Sequence, residues 1–290
     1  MNHHAKPLPS RTPLFMLLAM PWPVTTRDLA PGDLKSAALD LARFALTRIR
    51  RRDDPLFEEA YGRLWAEFGP KDEMEARDAL GQRFQRGPRV LYEMAIVHTE
   101  GEFVAVRDHT AALTRDGAQI VVHLSHNLVS PPARRTGLAG WMRALPIATA
   151  RDCLAANAGP PRAPITLLAE MEYAQPDDHA RFIRLRAYER AGFRKIDPNI
   201  VKYFQPDFRP PVLIDAAGGP RTLPFQLLVR RVHREHERMI SGAEARQLVE
   251  TLYEIYRPQF RPADLAHPAL SLDNYPDDHA MISLVPPTQC

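Results

Sequence analysis

Three β-rich runs separated by two short turn signals constrain the fold of this chain more than any other feature of its sequence. The runs cover residues 90–98, 103–113 and 120–129. The pairs Glu100-Gly101 and Asp116-Gly117 separate them. Asp followed by Gly between such runs is a strong signal for a hairpin, because glycine readily adopts the positive φ of a tight turn. The pattern predicts three consecutive antiparallel strands.

Apolar residues at helical spacing flank these strands on both sides. Before the strands, helices are predicted over residues 34–49, 56–68 and 72–84. After them, helices are predicted over residues 137–156, 177–191 and 241–256, and Pro146 is expected to kink or split the first. Further strands are predicted over residues 165–170, 200–204 and 224–232. This order predicts an α+β, or mixed three-layer α/β, fold with helices flanking a mostly antiparallel sheet, and it excludes a repeating βαβ barrel.

The composition is that of a folded globular protein. The chain has 290 residues, of which 45% are hydrophobic and 25% charged, so a sizeable core is available. The 38 Lys and Arg against 35 Asp and Glu give a net charge of +3, which is too small to indicate a nucleic acid or an anionic membrane as a partner. Cys153 and Cys290 are too few for a disulfide scaffold or a multi-cysteine zinc site, so we expect a reducing, cytoplasmic location.

The two ends of the chain differ in composition from its centre. An apolar run at residues 14–20 is well short of the roughly 18 residues that span a bilayer, and it meets Pro21 without a small-residue cleavage site. We expect it to form a first strand or an apolar clasp. The predicted organisation is an N-terminal arm at 1–33, a central domain at 34–232, and a helical and Pro-rich extension at 233–290.

The segment from Leu128 to Ala139, between a predicted strand and a predicted helix, has the chemistry of a phosphate-binding turn. Gly137 lets the backbone approach an anion closely, and the helix N-terminus offers unpaired N–H groups and a positive dipole. Arg134 and Arg135 add positive charge. Thr136 can cap the helix or donate to a phosphate. The alternative is an ordinary turn with solvent-facing arginines.

Two motifs here resemble signatures of the GCN5-related N-acetyltransferase (GNAT) family. The first, from Arg134 to Ala139, reads Arg-x-x-Gly-x-Ala and is similar to that family's acetyl-CoA pyrophosphate loop. The second is Ala-Tyr-Glu-Arg-Ala-Gly-Phe at residues 187–193, which resembles the family's tyrosine four residues before a Gly-Phe pair. The resemblance covers about residues 34–232. It implies the acyl-CoA N-acyltransferase fold, in which the strand before the loop splays from its neighbour.

The resemblance implies an acyl-CoA-dependent N-acetyltransferase that uses acetyl-CoA as co-substrate and no metal. The backbone of Leu128 and Val129 would pair with the pantetheine arm. The cofactor loop would hold the pyrophosphate with Arg134, Arg135, Thr136, Gly137, Leu138 and Ala139. Tyr188 matches the tyrosine near the thioester sulfur, which can protonate the departing thiolate. The alternative for Tyr188 is a tyrosine packed in the core.

The resemblance does not fix the base that takes the proton from the amine. Glu170 and Glu172, two residues apart at the end of a predicted strand, share one face and could act as the base or bind a cationic acceptor. Both could equally be solvated. His126 titrates in a suitable range, although a hydrogen-bonded structural role is its alternative. The acceptor is expected to be a small-molecule or peptide amine.

The sequence also allows several alternatives to an enzymatic function and to the site assignments above. A catalytically silent acyl-CoA-binding module could share the fold. The arginines at 181–194 could form a solvated or partner-binding surface or add countercharge for the cofactor, and no nucleic acid is expected there. His233 and His236 suggest a charged surface rather than a metal site. The N-terminal clasp and the helix at 241–256 could cover the site or form a homodimer contact.

Overall fold

The computed structural model describes residues 21–173 and 178–289. The strands are β1 (Ala45–Ile49), β2 (Val90–Thr99), β3 (Glu102–Leu113), β4 (Ile120–Val129), β5 (Ile165–Met171), β6 (Arg194–Ile196), β7 (Tyr203–Gln205), β8 (Leu223–Arg231), β9 (Met239–Ser241) and β10 (Met281–Val285). The α-helices are α1 (Phe57–Phe68), α2 (Arg77–Gln82), α3 (Leu138–Ala156), α4 (His179–Arg190), α5 (Pro211–Ala216), α6 (Gly242–Tyr256) and α7 (Pro262–Leu265).

The strands form an open, mostly antiparallel sheet in the order β1-β2-β3-β4-β5-β8-β6-β10-β9, with β7 paired to β8. The three predicted consecutive strands are β2, β3 and β4, joined by hairpins. Gly101 and Gly117 have φ of +84° and +74° in the two connections, as the turn signals require. The fold class predicted from the sequence is confirmed.

The sheet opens between β4 and β5. Their parallel pairing joins residues 120–123 to residues 165–168 and then ends, while β4 continues to Val129 along β3. A register shift opposite Asp108 places Ser125 and His126 as a bulge in β4, and such bulges bend a strand and increase its twist. Beyond His123, therefore, the edge of β4 that faces β5 has no strand partner in the described part of the chain.

Helices cover both faces of the sheet, and the alternation of side chains along β2 shows which helix covers which face. Met94 and Ile96 pack with α1, whereas Ala95 and Val97 pack with α3. Leu185 of α4 packs in a cluster with residues of α3. Successive side chains of β2 therefore point to opposite faces of the sheet, and both faces are buried. The outcome is a three-layer arrangement with α1 and α2 on one face and α3 and α4 on the other.

The predicted helix over residues 34–49 is wrong. The structure has 3-10 turns at Pro31–Ala38 and Leu41–Arg43, followed by the edge strand β1. Arg48 of β1 and Arg50, just after the strand, both donate to the buried carboxylate of Glu93 on β2, at 2.9 and 2.7 Å. Pairing along β2 thus outweighs a helical periodicity that is only a weak preference.

The C-terminal extension is also more ordered than its Pro-rich composition suggested. Ile282 and Leu284 of β10 are buried, and β10 pairs with β6 and β9. Pro146 lies inside an uninterrupted α3, and Cys153 is buried in the core. The apolar run at 14–20, Asp177 and Cys290 lie outside the described residues. Within the described chain, no helix combines the length and apolar character needed to cross a membrane.

Candidate active site

A cavity of about 290 Å³ opens where β4 and β5 separate. Elements from both faces of the sheet line it, including the connection between α1 and α2 on one face and α3 and α4 on the other. The four catalytic candidates predicted from the sequence all line this cavity: Tyr188, Glu170, Glu172 and His126. The splay thus brings together residues that are far apart in the sequence.

Tyr188 is the cavity residue that the sequence motif singled out, and it lies on the last turn of α4. Gly192 follows the helix with φ of +80°, which turns the chain sharply at its end. The turn returns Phe193 against the Tyr188 ring, with an edge-to-face geometry and 4.9 Å between ring centroids. The ring is half-buried. Its hydroxyl has no hydrogen-bond partner among the residues that the structure describes, so it is available to a ligand.

Glu170 is held by several hydrogen-bond donors at the base of the cavity. His123 Nε2 lies 2.8 Å from one carboxylate oxygen, and the Tyr203 hydroxyl donates to the other at 2.5 Å. The Tyr256 hydroxyl also donates to this carboxylate. Burial would raise the pKa of Glu170, but these hydrogen bonds and the His123 charge outweigh it and lower the pKa. Glu170 is therefore poorly suited to take a proton, and it organises the side chains around it.

His126 uses both ring nitrogens in hydrogen bonds. Nδ1 lies 2.9 Å from Asp108 Oδ1, and Nε2 lies 2.8 Å from the backbone oxygen of Glu73. Because both partners are acceptors, both nitrogens carry protons. Burial would lower the pKa of His126, but the charge and hydrogen bond of Asp108 outweigh it and raise the pKa to about 9. This geometry favours the structural alternative over the base.

Glu172 lies just beyond the end of β5 and is engaged by α4. Its carboxylate lies 2.9 Å from an Arg181 guanidinium nitrogen and 3.8 Å from one of Arg184. Arg181 also donates to the backbone oxygen of Tyr173 at 3.0 Å. These contacts make Glu172 a link between the end of β5 and α4.

Glu73 lines the same cavity, although the sequence analysis did not identify it. It lies between α1 and α2 and is half-buried. Its carboxylate makes no hydrogen bond or ion pair with any residue in the described part of the chain. Burial, and then the negative charge of Glu172, raise its pKa. Nothing in the local sequence separates Glu73 from the nearby Glu67 and Glu75, since only long-range packing places it in the cavity.

The cofactor loop follows β4 and leads into α3. Arg135 and Gly137 have φ of +66° and +102°. The backbone N–H groups of Arg135, Thr136 and Gly137 donate to no residue in the described chain. The Thr136 hydroxyl donates to the Ala133 backbone oxygen at 2.8 Å and accepts from the Leu138 N–H at 3.3 Å. Thr136 therefore shapes the turn that leaves these N–H groups free.

These loop residues fit a phosphate-bearing ligand. Free N–H groups at a helix N-terminus form a concave anion site, and Arg134 and Arg135 are exposed beside it. A Cβ added at Gly137 would lie 3.3 Å from Ser36 Cα, so the loop is already tightly packed there. The described residues contain no group of three or more His, Cys, Asp or Glu able to hold a metal ion.

Comparison with known proteins finds similarity in structure only. No protein-family model and no curated protein matches the sequence. Among solved structures, a GNAT-family protein from Bacteroides thetaiotaomicron is 19% identical, with a TM-score of 0.41 over 64% of this chain and 86% of that chain. Arabidopsis thaliana Naa50, solved with a bisubstrate analogue, is 10% identical, with a TM-score of 0.37 over 64% of this chain and 97% of its own.

An aminoglycoside 6'-N-acetyltransferase complexed with coenzyme A is 12% identical, with a TM-score of 0.37 over 64% of this chain and 96% of its own. TM-scores below 0.5 do not by themselves establish a shared fold. The fold is therefore identified from the topology of the sheet. The mostly antiparallel sheet, the splay of β4 from β5 and the glycine-containing turn into α3 are the features that the sequence resemblance implied. The chain has the fold of the GCN5-related N-acetyltransferases.

Proposed function

We propose that this protein is an acyl-CoA-dependent N-acyltransferase that moves an acetyl group from acetyl-CoA to a primary amine in a ternary complex. One observation carries the proposal. The opening between β4 and β5 joins a cavity lined by a tyrosine whose hydroxyl is free to a strand that ends in a loop with three unpaired backbone N–H groups. A sheet that opens in this way gives a ligand access from both faces.

The residues after the cavity on β4 would hold the co-substrate. Leu128 and Val129 lie on the part of β4 that has no β5 partner. Their backbone would pair with the pantetheine arm in place of Arg134, whose Nε donates to the Val129 backbone oxygen at 3.1 Å. The N–H groups of Arg135, Thr136 and Gly137 would bind the pyrophosphate, with Arg134 adding charge. Leu138 is buried among residues of β2 and β3 and keeps the first turn of α3 close to the sheet, and the half-buried Ala139 follows it. When bound, acetyl-CoA supplies the activated acyl group.

Tyr188 would act as the acid in this reaction. Its hydroxyl is free, half-buried and in the cavity, so it can donate a proton to the sulfur as the thiolate leaves. The packing of Phe193 against its ring fixes the direction of the hydroxyl. A positioned acid of this kind typically contributes about 10²-fold or more to the rate.

The acceptor side of the cavity suits an amine attached to a carbon chain or ring. Phe68, Phe208 and Phe225 line it together with the carboxylates of Glu73 and Glu172. Aromatic faces and carboxylates both stabilise an ammonium group. A small-molecule or peptide amine is therefore the proposed acceptor, in the cytoplasm, with a homodimer a further expectation.

The test is amine-dependent release of the CoA thiol from acetyl-CoA. The probes are spermidine, kanamycin, n-butylamine and a peptide with a free N-terminus and one lysine. We expect at least one amine to raise thiol release well above hydrolysis, with the acetylated amine detected by mass spectrometry. Tight binding of acetyl-CoA without turnover of any probe would favour the silent binding module instead.

A further inference from the structure

We propose that Glu73 is the base that takes the proton from the acceptor's ammonium group, an inference that rests on the proposed function. Glu73 lies on the α1–α2 connection, and Tyr188 lies on α4, so the two residues reach the cavity from opposite faces of the sheet. A base and an acid on opposite sides of the reacting carbonyl suit attack from one side and departure of the thiolate from the other.

The other carboxylates of the cavity are already engaged. Glu170 accepts from His123, Tyr203 and Tyr256. The remaining two carboxylates have arginine partners: Glu75 pairs with the buried Arg83, and Glu172 pairs with Arg181. Glu73 alone among the carboxylates that line the described cavity has a side chain without such a partner. It is therefore free to bind an ammonium group.

The backbone of Glu73 is fixed although its side chain is free. Its N–H donates to the Phe68 backbone oxygen at 3.2 Å, and its backbone oxygen accepts from His126 Nε2 at 2.8 Å. The Phe68 ring also packs on the His126 ring, with 4.8 Å between centroids. The protonated His126 thus anchors the loop to β4 and holds the Glu73 carboxylate at the splay. A base whose backbone is already fixed loses less entropy when its carboxylate binds the amine.

The charges that face Glu73 have opposing effects on its proton affinity. Burial and the Glu172 carboxylate raise the pKa of Glu73, whereas Lys71, Arg184 and His126 lower it, and the net direction is upward. A carboxylate with a raised pKa is a better proton acceptor near neutral pH than an ordinary one. Glu73 therefore has the environment of a base as well as the position of one.

The reaction balances with these groups alone. The Glu73 carboxylate takes one proton from the ammonium, and the neutral amine nitrogen forms a bond to the thioester carbonyl carbon. The carbon–sulfur bond then breaks, and the thiolate takes the Tyr188 proton. The second proton that the nitrogen loses on forming the amide restores Tyr188. Glu73 finally releases its proton to solvent, which leaves an amide, the free CoA thiol and one proton.

The experiment compares wild type with Glu73→Gln, Glu73→Asp and Glu102→Gln in the thiol-release assay, using whichever of the four amine probes turns over fastest. Glu102 is exposed at the start of β3, and its substitution is the matched control. Each variant is measured for kcat and kcat/KM against pH, for acetyl-CoA affinity by calorimetry and for thermal unfolding. Acetyl-CoA affinity reports on the co-substrate site separately from the base.

We expect Glu73→Gln to lower kcat by about 10²-fold with unchanged acetyl-CoA affinity and an unchanged control. The fall of kcat/KM towards low pH that comes from protonation of Glu73 disappears in Glu73→Gln, and Glu73→Asp regains part of the rate. Should Glu73→Gln fail to fold, Glu73→Asp provides the same test, because we expect the pH at which kcat/KM falls on the acidic side to shift in that variant.

Two outcomes overturn the proposal, and they are distinguishable. If wild type turns over an amine and Glu73→Gln keeps its rate within about threefold and its pH profile, Glu73 is not the base and the proposed function stands. If wild type releases no thiol with any of the probes, the proposed function fails and this inference fails with it.

Discussion

His126 and Asp108 form a buried ion pair, with Nδ1 lying 2.9 Å from Oδ1. The pair joins the β4 bulge to β3, and Tyr92 supports it by donating to the other Asp108 oxygen at 3.0 Å. The carboxylate raises the pKa of His126 against the opposing effect of burial. His126 is therefore protonated at neutral pH, with its charge balanced by Asp108, and it lies beside the loop that supplies Glu73.

The first prediction concerns stability against pH. Because the folded-state pKa of His126 is raised to about 9, its contribution is fully present below the unfolded value of about 6.5 and is lost as pH rises through about 9. The loss amounts to roughly 3 kcal/mol, at about 1.4 kcal/mol per pKa unit. Urea unfolding of wild type and His126→Gln between pH 6 and 10 measures it.

We expect the free energy of unfolding of wild type to fall towards that of His126→Gln as pH rises. The difference between the two proteins removes the contribution of lysines and tyrosines elsewhere, which titrate in both. A difference that stays constant across this range would show that His126 is neutral in the folded protein.

The second prediction is that Glu170 stabilises the fold and does not act as the base. Glu170→Gln should lower the free energy of unfolding by about 2 kcal/mol, because the new NH2 group replaces one carboxylate oxygen and so faces either Tyr203 or the pair His123 and Tyr256, which donate to the carboxylate. We expect kcat to fall by less than tenfold. For the unfolding measurement alone, Glu172→Gln is the control, since its partly exposed ion pair contributes about 1 kcal/mol or less. Wild-type stability together with lost activity would instead make Glu170 the base.

The sequence predicted the central part of the fold because its signals are local. The β2–β3 and β3–β4 turns need residues that accept positive φ, and Gly101 and Gly117 supply them. The helices α1, α3 and α6 are long enough for their apolar periodicity to be read directly. Short elements were missed for the opposite reason, since β1, β6 and β10 exist only through pairing with distant strands.

The same division applies to the candidate site. Tyr188 and the cofactor loop carry short motifs, so they were identified by resemblance. Glu73 carries none, and its place in the cavity depends on the hydrogen bond from His126, 53 residues away in sequence. Likewise, no local pattern shows that Glu170 faces two tyrosine hydroxyls, which come from β7 and from the end of α6.

The third prediction concerns Tyr188. Tyr188→Phe removes the hydroxyl and keeps the packing on Phe193, so kcat should fall by about 10²-fold with little change in stability or acetyl-CoA affinity. Tyr275→Phe is a matched control, because its hydroxyl donates to the Lys202 backbone oxygen and Tyr275 is not among the residues that line the cavity. An unchanged kcat in Tyr188→Phe would make this residue a packing tyrosine.

The most direct test of the central claim is calorimetric titration of acetyl-CoA into wild type, Gly137→Asp and Gly101→Asp. Both glycines have positive φ, so both substitutions strain the backbone, but only Gly137 lies in the cofactor loop. A Cβ at Gly137 would also lie 3.3 Å from Ser36 Cα, whereas one at Gly101 would meet nothing within 4 Å, so thermal unfolding of each variant checks that it remains folded. We predict micromolar binding to wild type and to Gly101→Asp, and loss of binding in Gly137→Asp, where a carboxylate would repel the pyrophosphate. Absence of binding to wild type, or equal binding to all three proteins, would contradict an acyl-CoA site at this loop.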